Sequence, residues 1–262
     1  MAPNMDDGSD QPHECTAAGA VQGEHIMTTE STTIRHSQDD TIRTWNRIAG
    51  FSGFAFVVLF IGMGAAIAAG APAFTDGADE LRSWFGDNQG SIAFFNWFTP
   101  MVFGFLYLVF GVGLLRRLTA GDTSGGILPR LSFAGIVAQF AVGIVGMSLW
   151  AVMSLDPVLE GASDGLLVTL SALDAVVFFA LMPWATAMFI IFASVLMIQS
   201  RIMPMWLAGL GIVAGVLPVI GGTWIFSGDP DSVVRGIGFI GEVGSMIWVL
   251  AASVFLIRST AD

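Results

Sequence analysis

Six stretches of this chain, at about 48–70, 93–115, 131–153, 166–198, 205–226 and 234–257, stay apolar over lengths that match the roughly 20 residues needed to cross a hydrocarbon core as a helix. No other feature limits the fold as strongly. The expected class is all-α: a polytopic membrane bundle of six transmembrane helices in contact with a lipid bilayer. Composition agrees, with 54% hydrophobic and 12% charged residues, where a soluble domain carries roughly a quarter charged. Most of the charge sits between the blocks. The first block is followed by "AAIAAGAPA", which offers small-residue cleavage sites, but its apolar run and its long leader read as a retained anchor rather than a signal peptide.

The ten basic residues are all arginine, a usage associated with bacterial genomes of high GC content. Their placement sets an expected orientation. With the N-terminus inside, Arg35, Arg43, Arg47, Arg116, Arg117, Arg130, Arg201 and Arg258 lie on the inner side, and only Arg82 and Arg235 lie outside. That asymmetry puts both termini in the cytoplasm and the protein in a bacterial cytoplasmic membrane. The outer connections gather acids instead, from Asp76 and Glu80 to Asp229 and Asp231. Trp84, Trp97, Trp150 and Trp224 fall at outer boundaries, and Trp45 and Trp206 at inner ones, as an aromatic belt does. In the longest connection, "DELRSWF" gathers Leu81, Trp84 and Phe85 toward one face and reads as a short helix on the outer membrane surface.

Residues 1–44 are polar, hold all three histidines and lack apolar periodicity, so they read as a disordered tail, with Met5 and Met27 as alternative translation starts. The single cysteine, Cys15, excludes an internal disulfide and a cysteine-built metal site. A net charge of -11 argues against nucleic acid as a partner.

Two motifs point to chemistry that their surroundings deny. "GIGFIGEVGS", residues 236–245, has the glycine spacing of a dinucleotide-binding turn, yet no second strand with a ribose-binding acid follows; "MIWVLAASVFLIRS" ends a membrane helix instead. There Gly238, Gly241 and Ser245 make a small-residue face for close helix packing, as Gly211 and Gly215 do in the fifth span. "GASDG", residues 161–165, matches a serine-hydrolase elbow, but no histidine follows His36 to act as base, and Ser163 reads as a loop or capping serine. No catalytic residue, metal site or cofactor is expected.

Two acids fall within the apolar blocks, where an ionised carboxylate is costly. Ser171 and Asp174 have capping-box spacing, which starts the fourth span at Ser171 and leaves Asp174 in the outer interface; a helix reaching back to Gly165 buries it instead. Glu242 lies well past any cap of the last helix, on the face of Gly238 and Ser245. With Asn96 at the same level, Glu242 and Asp174 sketch an outward-facing polar pocket for a small ligand or proton. Gln139 and Tyr107 read as interhelical hydrogen-bonding groups, and Pro183 as a kink. The competing reading is a non-catalytic scaffold, a homo-oligomer or partner subunit whose small-residue faces pack on another membrane protein.

Several segments carry a resemblance: "RIAGFSGFAFVVLFIG", "DELRSWFGDNQGSIAFFNWF", "LRRL", "MPMWLAGLGIVAGVLPVIGG" and "GEVGSMIWVLAASVFLI". Over roughly residues 45–258 the chain resembles a group of uncharacterised bacterial six-helix integral membrane proteins classed as a domain of unknown function. The resemblance implies the six-span layout and no assigned activity. Glu242 falls in a glycine–glutamate step that such proteins tend to show in the last helix.

Overall fold

The computed structural model describes residues 18–67, 70–229 and 231–258, with side chains from Asp40 onward. Helix α1 covers Ala18–Ile67. The rest of the expected tail, residues 1–17, lies outside the described residues. From Ala18 the backbone is helical where an unstructured tail is expected; no proline interrupts the chain between Pro12 and Pro72.

A compact unit begins at Trp45. After α1 come α2 (Ala78–Asp87) and α3 (Gln89–Thr99), then a π-helical stretch Pro100–Tyr107 that continues into α4 (Leu108–Leu118). Next are α5 (Ile127–Met153), the short α6 (Asp156–Gly161) and α7 (Asp164–Val176), which passes through a second π-helical stretch, Val177–Leu181, into α8 (Met182–Ser200). Helices α9 (Met205–Gly222) and α10 (Val233–Arg258) complete the bundle. Six helical runs are long and apolar enough to cross a membrane: Asp40–Ile67, Gln89–Gly121, Ile127–Met153, Asp164–Ser200, Met205–Phe226 and Val233–Arg258. Only 28% to 44% of the most apolar window of each is buried within the chain. Side chains such as Phe51, Trp97, Phe105 and Phe239 stand exposed, so these helices need an apolar surrounding. The chain is an all-α, multi-pass membrane bundle.

Sequential spans pack antiparallel, and small residues set the spacing. Gly221 meets Gly238 backbone to backbone, Gly241 meets Pro218, the Ser245 hydroxyl donates to the Ala214 carbonyl at 3.1 Å, and Gly211 meets Trp248. Each step down α9 is thus matched by a step up α10. On the opposite side of α9, Gly215 packs against Ile191 and Ala187, and Gly211 also against Ser194, all of α8. Gly135 and Gly146 of α5 seat Phe189 and Phe178 of the fourth span in the same way. Among apolar spans surrounded by lipid, such close approach is the main source of helix association, because apolar burial alone gives little net drive there.

An aromatic core joins the elements. Phe56 of α1 lies 4.4 Å from the Tyr107 ring centroid, Tyr107 meets Phe189 edge-on, and Phe189 meets Trp248 in turn. The Tyr107 hydroxyl donates to Gln139 Oε1 at 2.9 Å, so a buried polar group of the second span partners one of the third. At the end that carries Arg116, Arg130 and Arg201, Asp122 accepts from the Ser124 hydroxyl and amide and from the Gly126 amide. The hydroxyl bond foremost holds its carboxyl below the usual carboxylate range.

The opposite end differs from expectation at α2. Its Leu81 and Phe85 are buried and join Ile67, Ile92, Phe95, Met153 and Leu167 in a second apolar cluster. Helix α2 therefore covers the bundle's own end rather than presenting that face to lipid. Arg82 secures it, donating to the carbonyl oxygens of Leu159 and Ala162 and pairing with Asp164 at 2.9 Å.

Candidate functional site

Glu242 lies nine positions into α10, about 13 Å along the axis from its start at the usual rise. It is half-buried and lines a cavity of about 540 Å³ between α9, α10 and the second π-helical stretch. Arg235, two turns nearer the helix start and on the same face, lines the same cavity. Its guanidinium is stacked over Phe179 at 4.4 Å and lies 5.9 Å from the Trp224 ring. Two aromatic faces thus hold the cation beside the cavity. Phe179, Pro218 and Phe239 supply apolar wall, and Asp231 and Ser232 stand where the preceding loop enters the helix. Glu242, Arg235 and Asp231 are the charged residues among the described residues that line it.

The space has a local cause in the sequence. Pro183 lacks an N–H and cannot sit over the carbonyl of Phe179 in a regular α-helix. The turn before it widens, and the Met182 amide donates five residues back to the Val177 carbonyl. That π-helical turn carries Phe179 toward α9 and α10. On the facing side Gly221 and Gly238 line the cavity with backbone, and Gly236, where a Cβ would meet nothing within 4 Å, leaves the space open. Sequence reading marks Pro183 as a kink but misses Phe179, Pro218 and Asp231. The available signal was the position four residues before Pro183, whose carbonyl loses its partner.

Asp174 and Asn96 do not line this cavity. The capping-box expectation for Asp174 is corrected: α7 starts at Asp164, with Ser163 as its cap accepting from the Leu166 amide at 3.3 Å, so Ser171 is interior. Asp164 and Gly165 begin a helix without strain, so nothing stops the helix at Ser171, and Asp174 becomes a buried residue ten positions in. Its Oδ2 accepts from the Trp150 indole N–H at 2.8 Å, and its Oδ1 has no partner among the described residues. Trp150 itself packs edge-on against Trp84 and Phe85. Asn96 is half-buried and donates to the Ile92 carbonyl of its own helix at 3.0 Å. The pocket sketched from three residues thus divides, with Glu242 joined by Arg235 in one place and Asp174 by Trp150 in another.

The Asp174–Trp150 contact has a measurable consequence. Trp150→Phe leaves a buried carboxyl without its donor and should cost about 1–3 kcal/mol, whereas the double variant Trp150→Phe/Asp174→Leu should recover most of that loss. Thermal unfolding of the four members of the cycle in one detergent measures the coupling. A loss in the double variant equal to the sum of the two single losses would mean that the indole N–H does nothing for the carboxyl.

The small-residue faces are consumed inside the chain. Gly211 and Gly215 face α8, Gly211 also faces Trp248 of α10, and Gly238, Gly241 and Ser245 face α9. Among the described residues no three histidine, cysteine or acidic side chains gather where a metal ion could sit. Comparison with protein-family models, with curated proteins and with solved structures finds no match for this chain.

Proposed function

We propose that this multi-pass membrane protein takes up a small polar ligand or proton in an outward-facing, water-accessible pocket whose floor is Glu242. The observation that carries this reading is the cavity itself: Glu242 and Arg235 share a space of about 540 Å³, within the range of small-molecule sites. A glutamate at that depth against lipid is costly. Facing a hydrated cavity with a cation in it removes most of that cost. The arginine asymmetry supports the outward direction: by the positive-inside tendency the loop carrying Asp229 and Asp231 lies outside and both termini in the cytoplasm. A bacterial inner membrane is the setting this orientation fits. A scaffold working through small-residue faces is disfavoured, because those faces already pack against helices of the same chain.

The test needs no knowledge of the ligand. The chain has one cysteine, so Cys15→Ser gives a thiol-free background into which Glu242→Cys is introduced. A membrane-impermeant, water-soluble methanethiosulfonate ammonium added outside intact cells should label position 242, within about tenfold of the rate at Asp231→Cys, as expected for a thiol that ionises in water. Labelling at 242 only after the cells are opened, or only after the protein is unfolded, would overturn the outward pocket.

A further inference from the structure

The charges around the cavity restrict what can enter it, and this inference rests on the pocket reading above. Glu242 and Arg235 together sum to no net charge, and the one further acid among the described lining residues, Asp231, stands exposed. A simple cation attracted to Glu242 meets the guanidinium on its way in. A simple anion attracted to Arg235 meets Asp231 at the rim and Glu242 beneath. A molecule carrying both an ammonium and an acidic oxygen group is attracted by both side chains and opposed by neither. Arg235 and Glu242 are seven residues apart on one helix face, about 10 Å in axial rise. Their long side chains can shorten that gap from both ends. The walls supply the second criterion. Phe179, Pro218 and Phe239 are apolar, and Phe239 is 65% exposed on the outer surface of α10, so the cavity has an apolar flank that reaches the lipid-facing side of the bundle.

We infer that the ligand is a zwitterion with an apolar portion, its ammonium directed to Glu242, its acidic group to Arg235 and its apolar part along Phe179 and Phe239. A free amino acid with an aliphatic side chain and the headgroup of an aminophospholipid share this chemistry.

Gly236→Cys in the Cys15→Ser background reports on occupancy. Position 236 lines the cavity, and a Cβ there meets no heavy atom within 4 Å. Its labelling by the same thiol reagent is followed in purified full-length protein in nanodiscs. In phosphatidylglycerol discs, L-leucine or O-phosphoethanolamine should slow labelling at least fivefold, while ethylamine and acetate at equal concentration leave it unchanged. Slow labelling in phosphatidylethanolamine discs with no added solute identifies the lipid headgroup as the source. Glu242→Gln and Arg235→Gln should each raise the half-protective concentration roughly tenfold or more, and Arg235→Lys should recover part of the loss. Unfolding midpoints of the variants exclude a folding defect as the cause. Protection by ethylamine alone, insensitivity to Arg235→Gln, or no protection by either source would overturn the zwitterion. If position 242 is nevertheless labelled from outside, the pocket survives that failure; if it is not, both fall together.

Discussion

Gly221→Leu will force α9 and α10 apart and destabilise the bundle by about 3 kcal/mol or more, at the upper end of the cost of overpacking. A Cβ at Gly221 would fall against the Cα of Gly238 and 2.6 Å from its amide nitrogen. Both obstacles are backbone, so no rotamer change relieves them. The same pair of helices is held at this distance along its length by Gly241 against Leu217 Cβ at 2.6 Å and by the Ser245 bond to Ala214. Moving them apart at one end therefore loosens the contacts below it. The unfolding midpoint in detergent should fall by roughly 10 °C, and Gly241→Leu should behave alike. Gly209→Leu is the control, since Gly209 is exposed and a Cβ there meets nothing within 4 Å. Similar losses at 209 and 221 would show that the α9–α10 contact is not where the stability resides. The cavity sits directly beside Gly221 and Gly238, so thiol labelling at position 242 should also change in Gly221→Leu.

The spans were legible because the solvent imposes them. Apolar runs of 20 residues and more have one economical arrangement in lipid, and the six helical runs fall where those runs lie. The packing faces were legible for a related reason: Gly211, Gly215, Gly238, Gly241 and Ser245 recur at helical spacing, and only close helix contact rewards a run of small residues there. Which neighbour each face meets was not legible, because spacing along one helix says nothing about the helix opposite. Glu242 stood out by the cost of its position, and its partner Arg235 lay only two turns away in sequence. Asp174 was misplaced because Ser171 and Ser163 both offer a capping hydroxyl, and local sequence does not rank two adequate caps. The π-helical turn at Val177–Leu181 follows from Pro183. That it delivers Phe179 to Arg235 depends on α10, more than fifty residues further along the chain.

Arg82→Glu should detach α2 from the end of the bundle, and the reason separates two interactions that look alike. Arg82 pairs with Asp164, but that carboxylate's side chain is 76% exposed. An ion pair so open to solvent contributes within about 0.5 kcal/mol, so Asp164→Asn should be nearly silent. The bonds to the Leu159 and Ala162 carbonyls are different in kind: they are partly buried and tie α2 to the short α6 segment, which has no regular partner for those oxygens. Glutamate at 82 removes both donors and turns a carboxylate toward two carbonyl oxygens and Asp164, at a cost of about 3 kcal/mol. Gln89, the first residue of α3, donates to Asp156 of α6 at 2.6 Å beside this contact, and that bond is exposed. The apolar contacts of Leu81 and Phe85 and the packing of Trp84 on Trp150 then hold α2. Amide hydrogen exchange over residues 78–88 should quicken roughly a hundredfold in Arg82→Glu, with exchange in α9 and α10 unchanged. Exchange quickening equally in Asp164→Asn would assign the fastening to the ion pair, and no change in either variant would mean that the apolar and aromatic contacts of Leu81, Trp84 and Phe85 secure this end of the bundle without help. If α2 opens, the indole of Trp150 loses the Trp84 and Phe85 rings packed against it, and water gains a route to Asp174 Oδ1, which has no partner among the described residues.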